Sequence, residues 1–324
     1  MNGISKSTGL SNPNSVSRLH SRSAQRYMWA YLFILPQFAF FLVFTVYPIL
    51  MSYVYSFYDW SGIGPLNKFV FLDNFKAVLA DHAFWNAFKN NMIYILLQTS
   101  LVLPLTLIMA ILLNISFLKG RTLYRTIYFL PVITTASIVG AVMKFIFGND
   151  NALFNNFLLA LGIIREPVAW LSKPITAMGV LIIVGVWKIF GIIMVYWLAG
   201  LQTIPADNYE AAKIDGAGAW QTLRFITLPL LAPVGAVILL LTVVNGMHVF
   251  DLVKTLTEGG PFFGTDMVDL YIYRYAFGSG GFPQLGYASA AGVVFGVAIF
   301  TITLVLGWFV KLSNDSGKSR VIGH

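Results

Sequence analysis

EAAKIDGAGAWQTLRFITLPLLAP, residues 210–233, lies between two long apolar runs but is not composed like an ordinary connection. Pro205 and Asp207 precede Glu210, and Asp207-x-x-Glu210 has the spacing of a capping box. In that motif a side-chain acceptor sits at the helix start, and a carboxylate one turn on reaches back to the free amides. A short helix is expected from about Asp207 to Asp215. Gly216 and Gly218 are placed to break it, because glycine enters turn conformations without a Cβ penalty. Trp220, Leu223 and Ile226 then mark a second amphipathic turn, and Leu228-Pro229 leads into the next apolar run. The stretch reads as a helix–turn–helix knob with the small Ala211 and Ala212 flanked by charge. Such a shape suits a plug for a cleft on another protein.

Outward from the knob, the chain is composed for lipid. Hydrophobic residues make up 57% and charged residues 10%, which excludes an ordinary soluble domain and indicates a polytopic membrane protein. Aromatic residues at 15% fit spans with interfacial Trp and Tyr belts. With no cysteine, disulfides, thiolate–metal sites and a cysteine nucleophile are excluded. Six spans are expected, at about 30–56, 91–115, 123–147, 176–200, 229–252 and 287–310, each near the ~20 residues a crossing helix needs. Pro36, Pro48, Pro104 and Pro131 fall inside them and are expected to kink rather than end their helices. Residues 1–28 are Ser/Asn-rich and basic, a flexible cytoplasmic tail, and 313–324 form a second one. The apolar run after residue 28 is too long for a signal-peptide core and is expected to stay in the membrane.

Lys and Arg set the orientation. With both termini inside, the inner pieces carry 12 Lys/Arg and four acidic residues, and the outer pieces seven Lys/Arg and nine acidic residues. The net charge of +8 is therefore a topology signal rather than a nucleic-acid footprint, and it places the knob on the cytoplasmic side. Of the outer segments, 57–90 reads either as an amphipathic helix on the membrane surface or as a loop packed over the bundle. Residues 148–175 hold an amphipathic piece around Phe154 and Phe157, and the glycine-rich 253–286 reads as an irregular cap.

Glu210-Ala211-Ala212, Asp215-Gly216-Ala217 and Ile226-Thr227-Leu228-Pro229 together resemble the EAA coupling motif of binding-protein-dependent ABC importer permeases. Residues 31–60, 148–162, 198–205 and LTEGGP at 256–261 resemble the carbohydrate-uptake branch, so roughly residues 29–312 are covered. The resemblance implies an all-α type I importer fold with a cytoplasmic coupling helix–turn–helix at 205–229 and a bacterial inner-membrane location. It also implies a homologous second permease, two ATPase subunits and a periplasmic or extracellular substrate-binding protein as partners. Glu210 would make polar contact with the ATPase, Ala211 and Ala212 would allow close approach, and Gly216 would set the turn. Asp215, Leu228 and Pro229 complete that coupling set. The large extra outer domain found in some maltodextrin importers is absent here.

The chain has no G-x-x-x-x-G-K-[ST] phosphate loop, so ATP and magnesium would be held by the partner ATPases and this chain would carry no cofactor. No metal-ligand spacing appears among the four histidines, and no Ser/His/Asp arrangement indicates hydrolysis. The chain is therefore expected to be a transport subunit rather than an enzyme. Charged residues within spans are costly and default to functional candidates. Lys188, mid-span, either lies on the translocation pathway, where it would attract an anionic sugar such as a uronate or phosphate ester, or pairs with an acid or backbone carbonyls. Lys144 near a span end is expected to snorkel outward. Asn245, His248 and Asp251, three apart, share a helix face that meets either a substrate cavity or the second permease. Tyr196 offers an aromatic surface to a sugar or an interfacial anchor. Gly292 and Gly296, with Ala288 and Ala291, form a small-residue packing seam, within the subunit or across the permease pair. The competing function is an ion-coupled secondary transporter with Lys188, His248 and Asp251 as a proton relay. A membrane scaffold is a third, and neither accounts for the knob.

Overall fold

The computed structural model describes residues 28–29, 31–115, 119–148, 152–278 and 281–321. Apart from Met28, the tail expected over 1–28 lies outside them. The chain divides into two compact units, Met1–Val54 and Tyr55–His324. The first holds nearly all of α1 (Tyr31–Tyr55), an apolar helix carrying a π-helical turn at Leu42–Val46. The second begins with a short hairpin-like crossing marked by an isolated bridge, Tyr58 to Phe69. It continues through α2 (Asp73–Ala80), α3 (His82–Asn114), α4 (Arg121–Ile133), α5 (Ala136–Phe147) and α6 (Leu153–Ala160). Then come α7 (Pro174–Leu201), α8 (Ala206–Ile214), α9 (Ala219–Met247), α10 (Phe250–Leu256), α11 (Val268–Phe277) and α12 (Leu285–Val321). No strand occurs among the described residues.

Five helices are long and apolar enough to cross a membrane: α1, α3, α7, α9 and the first 24 residues of α12. The sixth expected span, 123–147, is broken: α4 and α5 meet at 97° across Thr134 and Thr135. Pro131 does not merely kink a continuous helix here, because α4 ends two residues later in extended backbone at Thr134 (ψ 139°). Pro104, by contrast, stays inside α3. Polar side chains near it, Ser100 and Thr106, donate to the carbonyls of Leu96 (2.6 Å) and Val102 (2.5 Å).

The core is centred on α3 and α7, which lie side by side in the same direction. Gly185 faces Tyr94 toward one end, and Leu201 and Ile111 share a groove at the other. α9 returns antiparallel between them, with Gly246 beside Ile95 and Gly235 under the Trp197 ring. Two glycines fix how close the helices come. A Cβ on Gly191 would stand 2.3 Å from the Tyr128 carbonyl oxygen, so only glycine lets α4 cross α7 backbone to backbone. A Cβ on Gly140 would stand 1.9 Å from Thr255 Oγ1, which seats α5 against α10 in the same way.

The end of the bundle that carries α2, α6, α10 and α11 is more ordered than its glycine content suggested. Within 253–286, α11 and the last residues of α10 are regular helix. Three asparagines at the start of α3 tie this segment down. Asn86 and Asn90 donate to the Phe263 carbonyl, and Asn90 also to that of Asp266 at 3.0 Å. Asn91 donates to the Met247 carbonyl at 3.3 Å and accepts from the Val268 amide at 2.8 Å. Arg274 pairs with the buried Asp266, and burial pushes that carboxyl up to about 6 against the opposing pull of Arg274. α2 is the short helix expected within 57–90, and it packs against α12 with Val78 fully buried. α3 starts at His82, nine residues before the expected span, because Asp81 caps it by accepting from the Ala83 amide at 2.7 Å. The backbone of α12 runs on as helix to Val321, through most of the segment expected to be a tail.

Candidate functional site

At the end of the bundle opposite α11, the chain leaves α7, forms α8, turns, and enters α9. α8 spans Ala206–Ile214, close to expectation, but its start differs. The helix begins one residue earlier, after Pro205, so Asp207 sits inside the first turn and no side chain caps the end. The Asp207–Glu210 capping box does not form, and Asp207 instead places negative charge near the unpaired amides, where the helix dipole favours it. The turn is a Schellman motif. Ala217 N–H donates to the Ala212 carbonyl at 2.9 Å and Gly216 N–H to that of Lys213 at 3.2 Å, with Gly216 at φ +74°. Gly218 does not use glycine's freedom: it is extended (φ −71°, ψ 168°) at the N-cap of the next helix, its N–H bonded to Gln221 Oε1 at 2.8 Å. That second helix is not separate from the fifth span. Ala219–Met247 is one helix that passes Pro229 by a π-helical turn at Leu223–Thr227, closed by Leu228 N–H on the Leu223 carbonyl.

Glu210, Ala211, Asp215, Gly216, Leu228 and Pro229 are exposed on the knob, while Ala212 is buried against the bundle. Ala212 therefore serves the knob's own packing. Three large apolar side chains are also exposed there, Ile214 (86%), Trp220 (67%) and Phe225 (70%). Exposed apolar groups clustered on a polar turn mark a contact surface. Trp220 belongs to the expected amphipathic turn: it lines one groove with Leu223 and Thr227 beside Leu201 and Tyr209, yet stays largely exposed.

Within the bundle, a cavity of about 300 Å³ is bounded by α3, α5, α7, the end of α9, α10 and α11. Lys188, Asn245, His248 and Asp251 all line it. They do so without sharing one helix: α9 ends at Met247, and the chain bends through His248 (φ −110°, ψ 80°) before α10. The three-residue spacing of Asn245, His248 and Asp251 is thus not a continuous helical face, but the bend still turns all three toward one space. Lys188 Nζ donates to the carbonyls of Thr134 at 2.7 Å and Pro131 at 3.5 Å. These carbonyls are exposed by the break between α4 and α5, so the backbone-pairing reading of Lys188 is the one observed. A cation at a helix C-terminus also meets the negative end of the helix dipole.

The cavity contains groups that sequence reasoning missed. Asp269 on α11 lies 3.4 Å from His248 Nδ1 and lines the same space. That hydrogen bond raises the His248 pKa, burial opposes it, and the Asp269 charge adds to the rise. Tyr94 and Gln98 enter from α3, where Gly185 leaves room for the Tyr94 hydroxyl: a Cβ there would stand 2.2 Å from it. Gln98 Oε1 is buried without a hydrogen-bond partner. A tyrosine and a glutamine one turn apart in an apolar span were the available signal. Tyr196 is not brought to this cavity and is exposed on α7. Lys144 reaches out of α5 to Glu258 of the LTEGGP stretch at 2.8 Å. Among the described residues Gly292 and Gly296 make no close backbone approach: a Cβ on Gly292 would meet only Ile272 Cδ1, at 4.0 Å, and one on Gly296 nothing within 4 Å. Of the expected seam, Ala288 and Ala291 are the buried members, beside Phe295.

The family described as binding-protein-dependent transport system inner membrane component matches residues 76–316. The lactose transport system permease LacF of Rhizobium radiobacter is 37% identical over 266 residues, 82% of this chain and 88% of that protein. The trehalose/maltose transport system permease MalF of Thermococcus litoralis is 35% identical over 292 residues, 90% of this chain and 96% of that one. Among solved structures, a bacterial alginate ABC transporter in complex with an alginate pentasaccharide-bound periplasmic protein has a chain that superposes with a TM-score of 0.75. Its identity is 26%, covering 88% of this chain and 94% of that one. A bundle of apolar helices around a polar cavity, a helix–turn–helix knob at one end and these matches agree: this chain belongs to the family of inner-membrane permease components of binding-protein-dependent transport systems.

Proposed function

We propose that the chain is one of two permeases in an ATP-driven importer of sugar or oligosaccharide. The relatives named for lactose, trehalose/maltose and alginate support the carbohydrate class. A substrate-binding protein would deliver cargo at the α11 end, and two ATPase subunits would dock at the knob end, one per permease. Both termini and the knob would face the cytoplasm, as the Lys/Arg surplus predicts. ATP and magnesium would belong to the ATPases.

One observation carries this reading: the two helices that emerge from the knob are also walls of the cavity. α7 brings Gly185 and Lys188 to it, and α9 brings Asn245 and Gly246. A displacement imposed on the knob is carried along two rigid helices to the space where cargo would sit, a lever suited to alternating access. The Schellman turn at Gly216 makes the knob stiff enough to transmit it.

The test is reconstitution in liposomes with the neighbouring permease, ATPases and binding protein. Uptake should require both ATP and the binding protein. Transport by this chain alone under an ion gradient, without ATP, would establish the secondary-transporter reading in its place.

A further inference from the structure

Between the knob and the end of α3 lies a groove of about 620 Å³, which shares no lining residue with the cavity. Its inner part is apolar: Leu201 of α7 is buried, and Ile111 of α3 and Leu223 of α9 are half-buried. Its outer part is polar and aromatic, with Tyr209 and Lys213 from α8 and Trp220 from the start of α9. Tyrosine and tryptophan are the side chains that settle at the headgroup level of a membrane. No carboxylate lines the groove among the described residues, and Lys213 makes no ion pair among them. An uncommitted ammonium beside an apolar slot matches a ligand with an anion at one end and hydrocarbon at the other.

The groove also continues into an exposed stripe of a span. By helical periodicity Ile111 shares one face of α3 with Ile108, Leu101 and Leu97, and all three of these are exposed. From Ile111 to Leu101 the stripe runs about 15 Å at 1.5 Å per residue, half of the ~30 Å hydrocarbon core. That is the reach of one leaflet.

We propose that this groove is a site for an anionic phospholipid of the leaflet at the knob end. Lys213 faces the phosphate, Tyr209 and Trp220 flank the glycerol, and an acyl chain enters over Ile111 and follows the α3 stripe. The knob is continuous in sequence with α7 and α9 but not with α3, so the lipid bridges it to a third helix. The seating of the knob then depends on the charge of the surrounding lipid. The inference uses only the spans and the knob, and it stands apart from the importer reading.

The test places the full chain in nanodiscs of mixed phosphatidylcholine and phosphatidylglycerol. Matched probes of each lipid, with a diazirine in the acyl chain next to the glycerol, are photolysed, and the adducts are mapped by mass spectrometry. Labelling of residues 111–115 and 219–227, relative to residues 97–101, should favour the phosphatidylglycerol probe about fivefold, the scale of one lysine at an anionic lipid surface. Lys213 is exposed, so its substitution spares the packing of the bundle. The preference should vanish in Lys213→Gln and persist in Lys213→Arg. Equal labelling by the two probes, or a preference that survives Lys213→Gln, overturns the inference. Glycerol phosphate in excess should leave the labelling unchanged; displacement would assign the groove to a free phosphate ester instead of a lipid. Groove adducts should also persist in the assembled complex with the ATPases. Their loss there would show that a protein partner covers the groove, and would overturn the lipid assignment. The bridge is read from amide exchange across residues 206–217. Exchange should be slower in nanodiscs containing phosphatidylglycerol than in phosphatidylcholine alone, and equal in the two for Lys213→Gln. Equal exchange in the unsubstituted chain would overturn the bridging of the knob to α3.

Discussion

The knob and the cavity are built on opposite plans. The knob is local: within residues 206–228 a helix, a Schellman turn at Gly216 and an extended Gly218 are set by bonds spanning three to five residues. The cavity is assembled at long range. Its lining residues run from Tyr94 to Asp269, and each is placed by a contact with some other helix. The cavity should therefore fail through loss of packing at a distance, and the knob through its backbone alone, with the bundle intact.

The largest effect should come from Gly191, which lies outside the cavity. A Cβ there would press on the Tyr128 oxygen at 2.3 Å and the Phe129 Cα at 2.7 Å, both backbone atoms that cannot swing aside. Gly191 is one turn from Lys188 on α7, so pushing α4 away also pulls the Thr134 carbonyl from the Lys188 ammonium. Gly191→Val should destabilise the chain by about 1–3 kcal/mol, the range for overpacking. It should abolish uptake and lower the thermal unfolding midpoint in detergent. Stability and transport both unchanged would mean that α4 does not need this crossing.

Gly216 should separate the two regions. Its φ of +74° suits only glycine, and nothing lies within 4 Å of a Cβ built there, so side-chain size is no obstacle. Gly216→Ala should cost about 1 kcal/mol through backbone strain alone. Gly216→Pro also loses the amide bonded to the Lys213 carbonyl and cannot reach positive φ. Both should leave membrane insertion unaltered. The proline variant should uncouple ATP hydrolysis from uptake, while the alanine variant reduces uptake only in part. Equal, full uptake by both would remove Gly216 from coupling.

This same division governs what could be read from the chain. The spans, the knob and the glycine that turns it follow from patterns a few residues long, and they appear nearly where expected. The capping box failed by one residue, because Pro205 ends the preceding turn and lets Ala206 open the helix. The break at Thr134 was hidden because 123–147 is apolar enough on average to read as one span, and hydropathy does not register direction; Pro131 and the Thr134-Thr135-x-Ser137 cluster were its only local marks. Asn245, His248 and Asp251 do share a space, but through a bend that supplied what helical spacing seemed to provide. Asp269 was invisible since its role depends on α11 folding back beside His248, a tertiary event with no local signature. Lys188 was legible as a costly charge in need of partners, and only the break in α4 and α5 revealed that backbone carbonyls are those partners. Gly292 and Gly296 show the limit of a motif: the spacing is real, but the close approach it permits is not used among the described residues, where Ala288 and Ala291 carry the packing.

The smallest effect concerns pH and belongs to the cavity alone. The Asp269 hydrogen bond raises the His248 pKa, burial lowers it, and the Asp269 charge raises it further. A histidine whose folded pKa exceeds its unfolded value contributes stability that is complete below the unfolded pKa, ~6.5, and is lost as pH rises through the folded one. The side chain of His248 is 61% exposed, so solvent screens most of this contribution. Raising pH from 5.5 to 8 should lower the unfolding midpoint by no more than about 1–2 °C through this group. His248→Asn should remove that component. A second consequence is sharper, because the proton adds a positive charge to a space also faced by Lys188, Asp251 and Asp269. With a cysteine substituted for Ala136 at the cavity wall, modification by a cationic thiol reagent relative to an anionic one should slow as pH falls through the His248 range and should stop responding in His248→Asn. The same titration applied to a thiol on the knob should show no such change. If both thiols respond alike, the histidine is reporting a global property of the bundle, and the independence of the two regions is lost.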